Sequence, residues 1–314
     1  MKILTTLLFL LSLNICLGQE YFDLAKEYPC ENCADYSVNL NTIKKYDLKK
    51  ANAILDSILD SEIEFNYIQG GCQHRAHIMS IILNRLSIEH FKVWLFAPKN
   101  LYKEDLRSLV IKDKNDLADN SKINWGYHVA PAILVKEGEE TTTYILDPSI
   151  NRKAIKLSDW FAAIEYKEGS KYTFLKPQFW SFLTENYGKT ITGEFYKYTI
   201  DNRYCGDNYR NLSLEKGLAI NDMAIYIYNK YIIKLKDSSD IDKKQKYSEL
   251  KKVFGNVDVL TSFFSDLKSY CGKTVEDNIS FRKFYQENKR LSEDAMSFYI
   301  NRLNYWTIYT SNQN

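Results

Sequence analysis

The chain has 314 residues, 45% of them apolar, and a net charge of only +2 with both signs interspersed. That is enough for one large or two ordinary domains around a sizeable core, which excludes global disorder. The near-balance of charge gives no basis for nucleic-acid binding, and the 24 tyrosines are spread along the chain rather than gathered into a stacking motif.

Lys2 gives a positive start, and residues 3–17 form an apolar run broken only by Thr5, Thr6, Ser12 and Asn14. Small Cys16 and Gly18 occupy the minus-three and minus-one places of a cleavage site after Gly18. This predicts a secretory signal peptide over residues 1–18 and a secreted or periplasmic protein. The run is too short to span a bilayer, so no stable membrane insertion is expected. A lipid anchor on Cys16 is the rival reading, and bulky Ile15 before it argues against that. Export would place Cys30, Cys33, Cys72, Cys205 and Cys271 in an oxidising compartment, where pairs become disulfides and an odd count leaves one thiol. The economical arrangement pairs Cys30 with Cys33 and Cys205 with Cys271 and leaves Cys72 over, although the sequence does not prove it. Cys30 and Cys33 lack the strand-to-helix context of a redox motif and the further ligands of a zinc site.

Residues 19–59 are an N-terminal segment and candidate pro-segment. Within it, Leu48, Ala51, Ile54, Leu55, Ile58 and Leu59 predict a helix over 45–59. Residues 60–165 read as the core. An extended lead-in at 63–68 reaches Gly70-Gly71, which permits backbone angles closed to other residues. A second helix follows over 72–86, with Ala76, Met79, Ile82, Leu83 and Leu86 as its buried stripe. Residues 91–97 read as a strand ended by Pro98, and 99–122 as a long charged loop of a kind often functional. Residues 125–135 and 141–147 suit two strands joined by a polar loop around Gly138, a hairpin. Residues 157–166 suit a helix, and 166–210 form an aromatic-rich connection. From 211 to 314 the pattern is helical, over 218–235, 243–254, 257–270 and 292–306, with no assigned role.

Cys72 opens the second helix. A thiol there sits at the positive end of the helix dipole, which favours thiolate, and first-turn amides around Gly71 and Gln73 can face an oxyanion. Alone, such a cysteine is more often a small buried hydrophobe. A nucleophile needs an imidazole within hydrogen-bond reach. His74 and His77 lie roughly 200° and 140° around the helix from Cys72 and so face elsewhere; Arg75 is ambiguous between structural and surface roles, and His90 reads as a solvated loop residue. That leaves His128. If the hairpin turns near 137–138, paired positions sum to about 275, and 128 + 147 = 275 makes His128 and Asp147 direct cross-strand partners. Asp147 could equally be a turn-starting residue before Pro148. A one-residue slip would put the two on opposite faces. Trp125 either walls the site or packs the core.

The segments Gly71-Cys72-Gln73-His74-Arg75-Ala76-His77-Ile78-Met79, Trp125-Gly126-Tyr127-His128-Val129-Ala130-Pro131 and Ile145-Leu146-Asp147-Pro148-Ser149 resemble the cysteine, histidine and aspartate motifs of the secreted bacterial protein-glutaminases. The resemblance covers about a third of the chain. It implies an α+β fold with a papain-like or transglutaminase-like core, a nucleophile helix packed on an antiparallel sheet. It implies Cys72 as nucleophile, His128 as general base and acid, and Asp147 as its orienter. The reaction implied is deamidation of protein-bound glutamine, with ammonia release through a thioester and with no cofactor or metal. The partner implied is a protein or peptide with an accessible glutamine. A cysteine peptidase or transglutaminase-type acyl transferase would use the same three residues, and an interaction module with a degenerate core is the non-enzymatic alternative. Three departures bear on substrate and activation: residues 100–124 lack the extra cysteines of such proteins, only about 40 residues lie between signal and core where their inhibitory pro-segment is long, and the helices after 210 have no counterpart among them.

Overall fold

Asp47 accepts the Lys50 amide and caps helix α1 (Leu48–Leu59), which buries Ala51, Ile54, Leu55 and Ile58 as its periodicity predicts. The computed structural model describes residues 20–21, 38–102, 104–187, 191–197, 214–264 and 279–311, with main chain only at 20, 181–187, 191–197 and 279. The expected signal peptide, its cleavage site, Cys16, Cys30, Cys33, Cys205 and Cys271 lie outside the described residues. No helix among those described is long and apolar enough to cross a membrane.

The fold is α+β. Its main sheet runs in the order β1 (Glu20–Tyr21), β9 (Lys171–Leu175), β3 (Phe91–Phe96), β6 (Tyr127–Glu137), β7 (Glu140–Ile145), β8 (Ile155–Lys156), and β2 (Lys45–Tyr46) also pairs with β6. The short β1–β9 and β2–β6 pairs are parallel, and the rest are antiparallel. Residues 45 and 46, expected to open the first helix, are strand instead. The expected loop 99–122 also contains a strand, β4 (Leu109–Lys112), which pairs with β5 (Lys122–Trp125) because Leu109, Ile111, Ile123 and Trp125 share one buried cluster. Gly126 separates β5 from β6, dividing the strand expected over 125–135. Helix α3 (Leu157–Ala162) is shorter than expected. Strands β10 (Phe179–Tyr187) and β11 (Ile191–Lys197) form a third sheet.

Helix α2 (Cys72–Arg85) packs between the sheet and the C-terminal helices. These are α4 (Leu214–Ile227), which runs on through π and 3-10 turns to Leu235, α5 (Ile241–Phe254), α6 (Val257–Phe264), α7 (Ile279–Glu287) and α8 (Lys289–Ser311). Helix α4 approaches α2 so closely that a Cβ on Gly217 would fall 2.3 Å from the His74 ring. One apolar cluster therefore runs from Ile54 and Leu83 through Leu218 and Met223 to Trp306. Covered on both sides, α2 buries polar residues as well: His74, Arg75, His77 and Ser80 are inside, while Leu86, expected in its buried stripe, is 48% exposed. The expectation that His90 is solvated is also corrected. It is buried, with Nδ1 2.9 Å from the Ile88 carbonyl oxygen.

Candidate active site

Gly71 is the N-cap of α2, in the left-handed region at φ 74°. A Cβ there would be strained in backbone and would meet the Asn221 carboxamide at 2.5 Å. The turn delivers Cys72 to the first helical position. Cys72 is buried, is the only cysteine among the described residues, and carries a free thiol. Its Sγ lies 3.6 Å from Gln73 Oε1.

His128 comes from the second position of β6, on the strand against which α2 packs. Its Nε2 donates to Asp147 Oδ2 at 2.7 Å, with both side chains buried. The hairpin register differs from the one expected. Glu137 pairs with Glu140 and Ala132 with Ile145, so paired positions sum to 277, and the turn is Gly138-Glu139 rather than a five-residue loop. Strand β7 ends at Ile145, and Asp147 is not directly opposite His128. The error is two residues, however, and side chains alternate with period two, so Asp147 still projects to the face of His128 as a diagonal neighbour.

The carboxylate is itself held by several donors. Trp160 Nε1 donates to Oδ2 at 2.9 Å, and the Ser149 amide and hydroxyl both donate to Oδ1. Trp125 stacks on the imidazole at 4.3 Å with the planes 10° apart, and its Nε1 donates to the Ile68 carbonyl. Trp125 thus both packs the core and walls the imidazole. Trp160 stacks more distantly on His128, at 5.4 Å.

Burial by itself would lower the basicity of His128. The charge and hydrogen bond of Asp147, followed by the nearby Cys72, outweigh it and bring the imidazole up to about 9. Burial pushes Asp147 the other way, and His128, Ser149 and Trp160 hold it below the usual carboxylate range. With Nε2 on Asp147, Nδ1 has no hydrogen-bond partner and is the nitrogen left for the thiol. Cys72, Arg75, Ala76 and Met79 on one face of α2 line a cavity of about 10 Å³ with His128, Asp147 and Ser149, close to the space that one water needs. The arrangement can hold a proton on an imidazole beside a thiol and place one small molecule between helix and strand.

His74 and His77, excluded by helix geometry, do face away from Cys72. Both lie near Trp180, and His77 Nδ1 is 2.9 Å from Lys92 Nζ. Sequence reasoning left Arg75 ambiguous and missed Ser149, Trp160 and Asn221. Arg75 was findable three residues after Cys72 on the helix, and Ser149 two after Asp147, a usual turn distance. Trp160 and Asn221 carried no local signal. No cluster of three or more His, Cys, Asp or Glu that could hold a metal occurs among the described residues.

Residues 41–164 match the model of a family described as glutaminase. That stretch holds all three motifs that resemble those of the protein-glutaminases. Among solved structures, a protein-glutaminase crystal structure is similar at 18% identity, with 56% of this chain and 85% of that one covered and a TM-score of 0.38. The A47Q2 mutant of pro-protein-glutaminase gives 18%, 60% and 61% coverage and 0.40. The NMR structure of protein-glutaminase from Chryseobacterium proteolyticum gives 16%, 58% and 89% coverage and 0.39. No curated protein matches in sequence.

Proposed function

We propose that the protein is an exported thiol amidohydrolase that deamidates protein-bound glutamine, with Cys72, His128 and Asp147 as its catalytic residues. One observation carries the reading: within the stretch matching the glutaminase family, His128 is clamped by Asp147 through Nε2 at 2.7 Å while Nδ1 stays unpartnered on the cavity that Cys72 lines. The nucleophile helix packed on a largely antiparallel sheet supports a papain-like or transglutaminase-like core spanning residues 60–165. Residues 1–18 would be removed as a signal peptide and 211–314 would be a helical addition to the core; of the candidate pro-segment 19–59, β2 and α1 would stay with the core, since β2 pairs with β6 and α1 packs into the main apolar cluster.

In this mechanism Cys72 Sγ attacks the side-chain amide carbon, giving an anionic tetrahedral adduct. Amides at Gly71 and Gln73 face the oxyanion. The His128 imidazolium gives its proton to the departing nitrogen, and ammonia leaves a thioester. A water, for which the cavity beside His128 has room, then attacks the thioester carbon. His128 takes its proton, and glutamate and the thiolate-imidazolium pair are restored. Asp147 keeps the imidazole in one orientation throughout.

The test is a glutamine-bearing protein incubated with the enzyme, followed by ammonia assay and intact mass. The expected result is ammonia release, with each event changing the mass by the difference between NH and O and with no fragments. Fragments would favour a peptidase, and incorporation of an added amine a transglutaminase. Ammonia release by Cys72→Ala equal to that of the wild type would falsify the thiol mechanism.

A further inference from the structure

Helical side chains lean toward the helix N-terminus, and positions i and i+3 are neighbours. Arg75 therefore lies alongside Cys72 rather than behind it. It is 3% exposed. Nη1 donates to the Tyr67 carbonyl at 2.8 Å and to the Gly70 carbonyl at 2.9 Å, which fixes the fork against the loop that leads to the nucleophile. Nη2 has no hydrogen-bond partner. Arg75 also lines the cavity shared by Cys72, His128 and Asp147. A buried guanidinium with an unused donor costs free energy for the lost hydrogen bond. That cost is offset where a ligand supplies the missing acceptor.

The charge count points the same way. With Cys72 as thiolate, His128 protonated and Asp147 ionised, the three groups carry one net negative charge in a buried site. An anionic adduct on the sulfur carries the same net charge, moved onto oxygen. Arg75 supplies the balancing positive charge. Burial lowers the pKa of this guanidinium, and the groups opposing that are, in order, Cys72, Asp147, Glu64 and Tyr67.

We propose that Arg75 is a further catalytic residue: its free Nη2 donates to the oxygen of the amide under attack and holds that oxygen as it becomes anionic. This rests on the thiol-amidohydrolase reading. The guanidinium works in the absence of bulk water, where a fixed donor to a developing oxyanion is worth about 10²–10³ in kcat. Its planar fork lets one nitrogen anchor on the loop while the other serves the substrate, a division that a lysine cannot reproduce.

The test reads the cation at the thiol independently of glutamine chemistry. Cys72 is alkylated with anionic iodoacetate and with neutral iodoacetamide, and the ratio of rates is compared with that of a small free thiol. The wild type is expected to favour iodoacetate and to keep that preference above the titration of His128 near 9, where the imidazole is neutral and Arg75 is not. Tyr127, also beside the thiol, is held protonated by burial and stays out of this range. Loss of the preference above that pH overturns the proposal, and this measurement needs no variant to fold. In Arg75→Gln, the ratio is expected to fall about tenfold and kcat about 10²-fold or more, with KM changed much less. Arg75→Lys keeps the ratio but not the kcat. A folded Arg75→Gln protein with the wild-type ratio and kcat would sink the idea. Preference without ammonia release from any glutamine-bearing protein sinks the glutamine reading, and the Arg75 role built on it; ammonia release without preference sinks the Arg75 role alone.

Discussion

His128 and His77 are both buried imidazoles near helix α2, and their surroundings shift them in opposite directions. His77 sits on that helix, five residues after Cys72. Burial lowers its pKa, and Lys92, whose Nζ lies 2.9 Å from Nδ1, lowers it further. His128 comes from a strand more than fifty residues on. Burial acts on it in the same direction, yet a carboxylate 2.7 Å away reverses the outcome. Equal burial with a partner of opposite sign gives one histidine that stays neutral and one that holds a proton at neutral pH. In the proposed mechanism only the second could protonate departing ammonia, so the neighbouring charge, and not closeness in sequence to the cysteine, distinguishes the imidazole proposed for catalysis.

The sharpest way to break this contrast is to remove each ring in turn. His128→Gln is expected to lower kcat for ammonia release by about 10²–10⁴. His77→Gln is expected to keep kcat at the wild-type order, with any loss appearing in thermal stability. The contrast fails if His77→Gln is the more damaging of the two in kcat.

A smaller effect tests the partner rather than the ring. Ammonia departure needs imidazolium, so kcat/KM should fall on an alkaline limb near the His128 value of about 9. In Asp147→Asn the opposing charge is gone and burial dominates, so the limb should move acidward, toward or below the ordinary 6.5, while kcat/KM at neutral pH also falls. An alkaline limb that stays in place in Asp147→Asn would show that some other group sets it.

The same contrast explains what could be read from the sequence. Cys72 was legible because a glycine pair and a helical pattern meet there. His128 and Asp147 were legible because hairpin faces alternate with period two, so a register wrong by two residues still paired the correct faces; an error of one would have lost Asp147. The α+β class and the helical C-terminus were also legible. What failed was burial set by distant chain. The stripe expected on the nucleophile helix omitted His74, Arg75, His77 and Ser80 because nothing near residue 72 announces that a helix starting at Leu214 will cover its other side. Trp160 on Asp147 and Asn221 on Gly71 are contacts of the same kind, made across 13 and 150 residues without a shared period. Asn221 is buried with neither amide atom hydrogen-bonded, a position that only packing of the whole chain creates. The strand at Leu109 was hidden by the charged residues that flank it.

The smallest expected effect is in stability, and there the two histidine environments should give slopes of opposite sign. His128 has a folded pKa above its ordinary 6.5, so between 6.5 and about 9 the native state binds more protons than the unfolded one. Its contribution is full below 6.5 and lost as pH rises through about 9. Lys92, buried against His77 and the Phe179 carbonyl, has a folded pKa well below its ordinary 10.5. Above that folded value the unfolded state binds the extra proton, and stability rises with pH until 10.5. Each slope reaches about 1.4 kcal/mol per pH unit for one proton. Where the two windows overlap, they oppose one another in the wild type. His77 and His90, both held below 6.5, act only at lower pH. Where the windows overlap below pH 9, denaturant midpoints should therefore fall with pH in Lys92→Met, rise with pH in His128→Gln, and change least in the wild type. A Lys92→Met protein with the wild-type slope would mean that Lys92 keeps its proton in the folded state. The rise of stability with pH assigned to Lys92 would then have no cause, while its charged ammonium, 2.9 Å from Nδ1, would still hold His77 neutral.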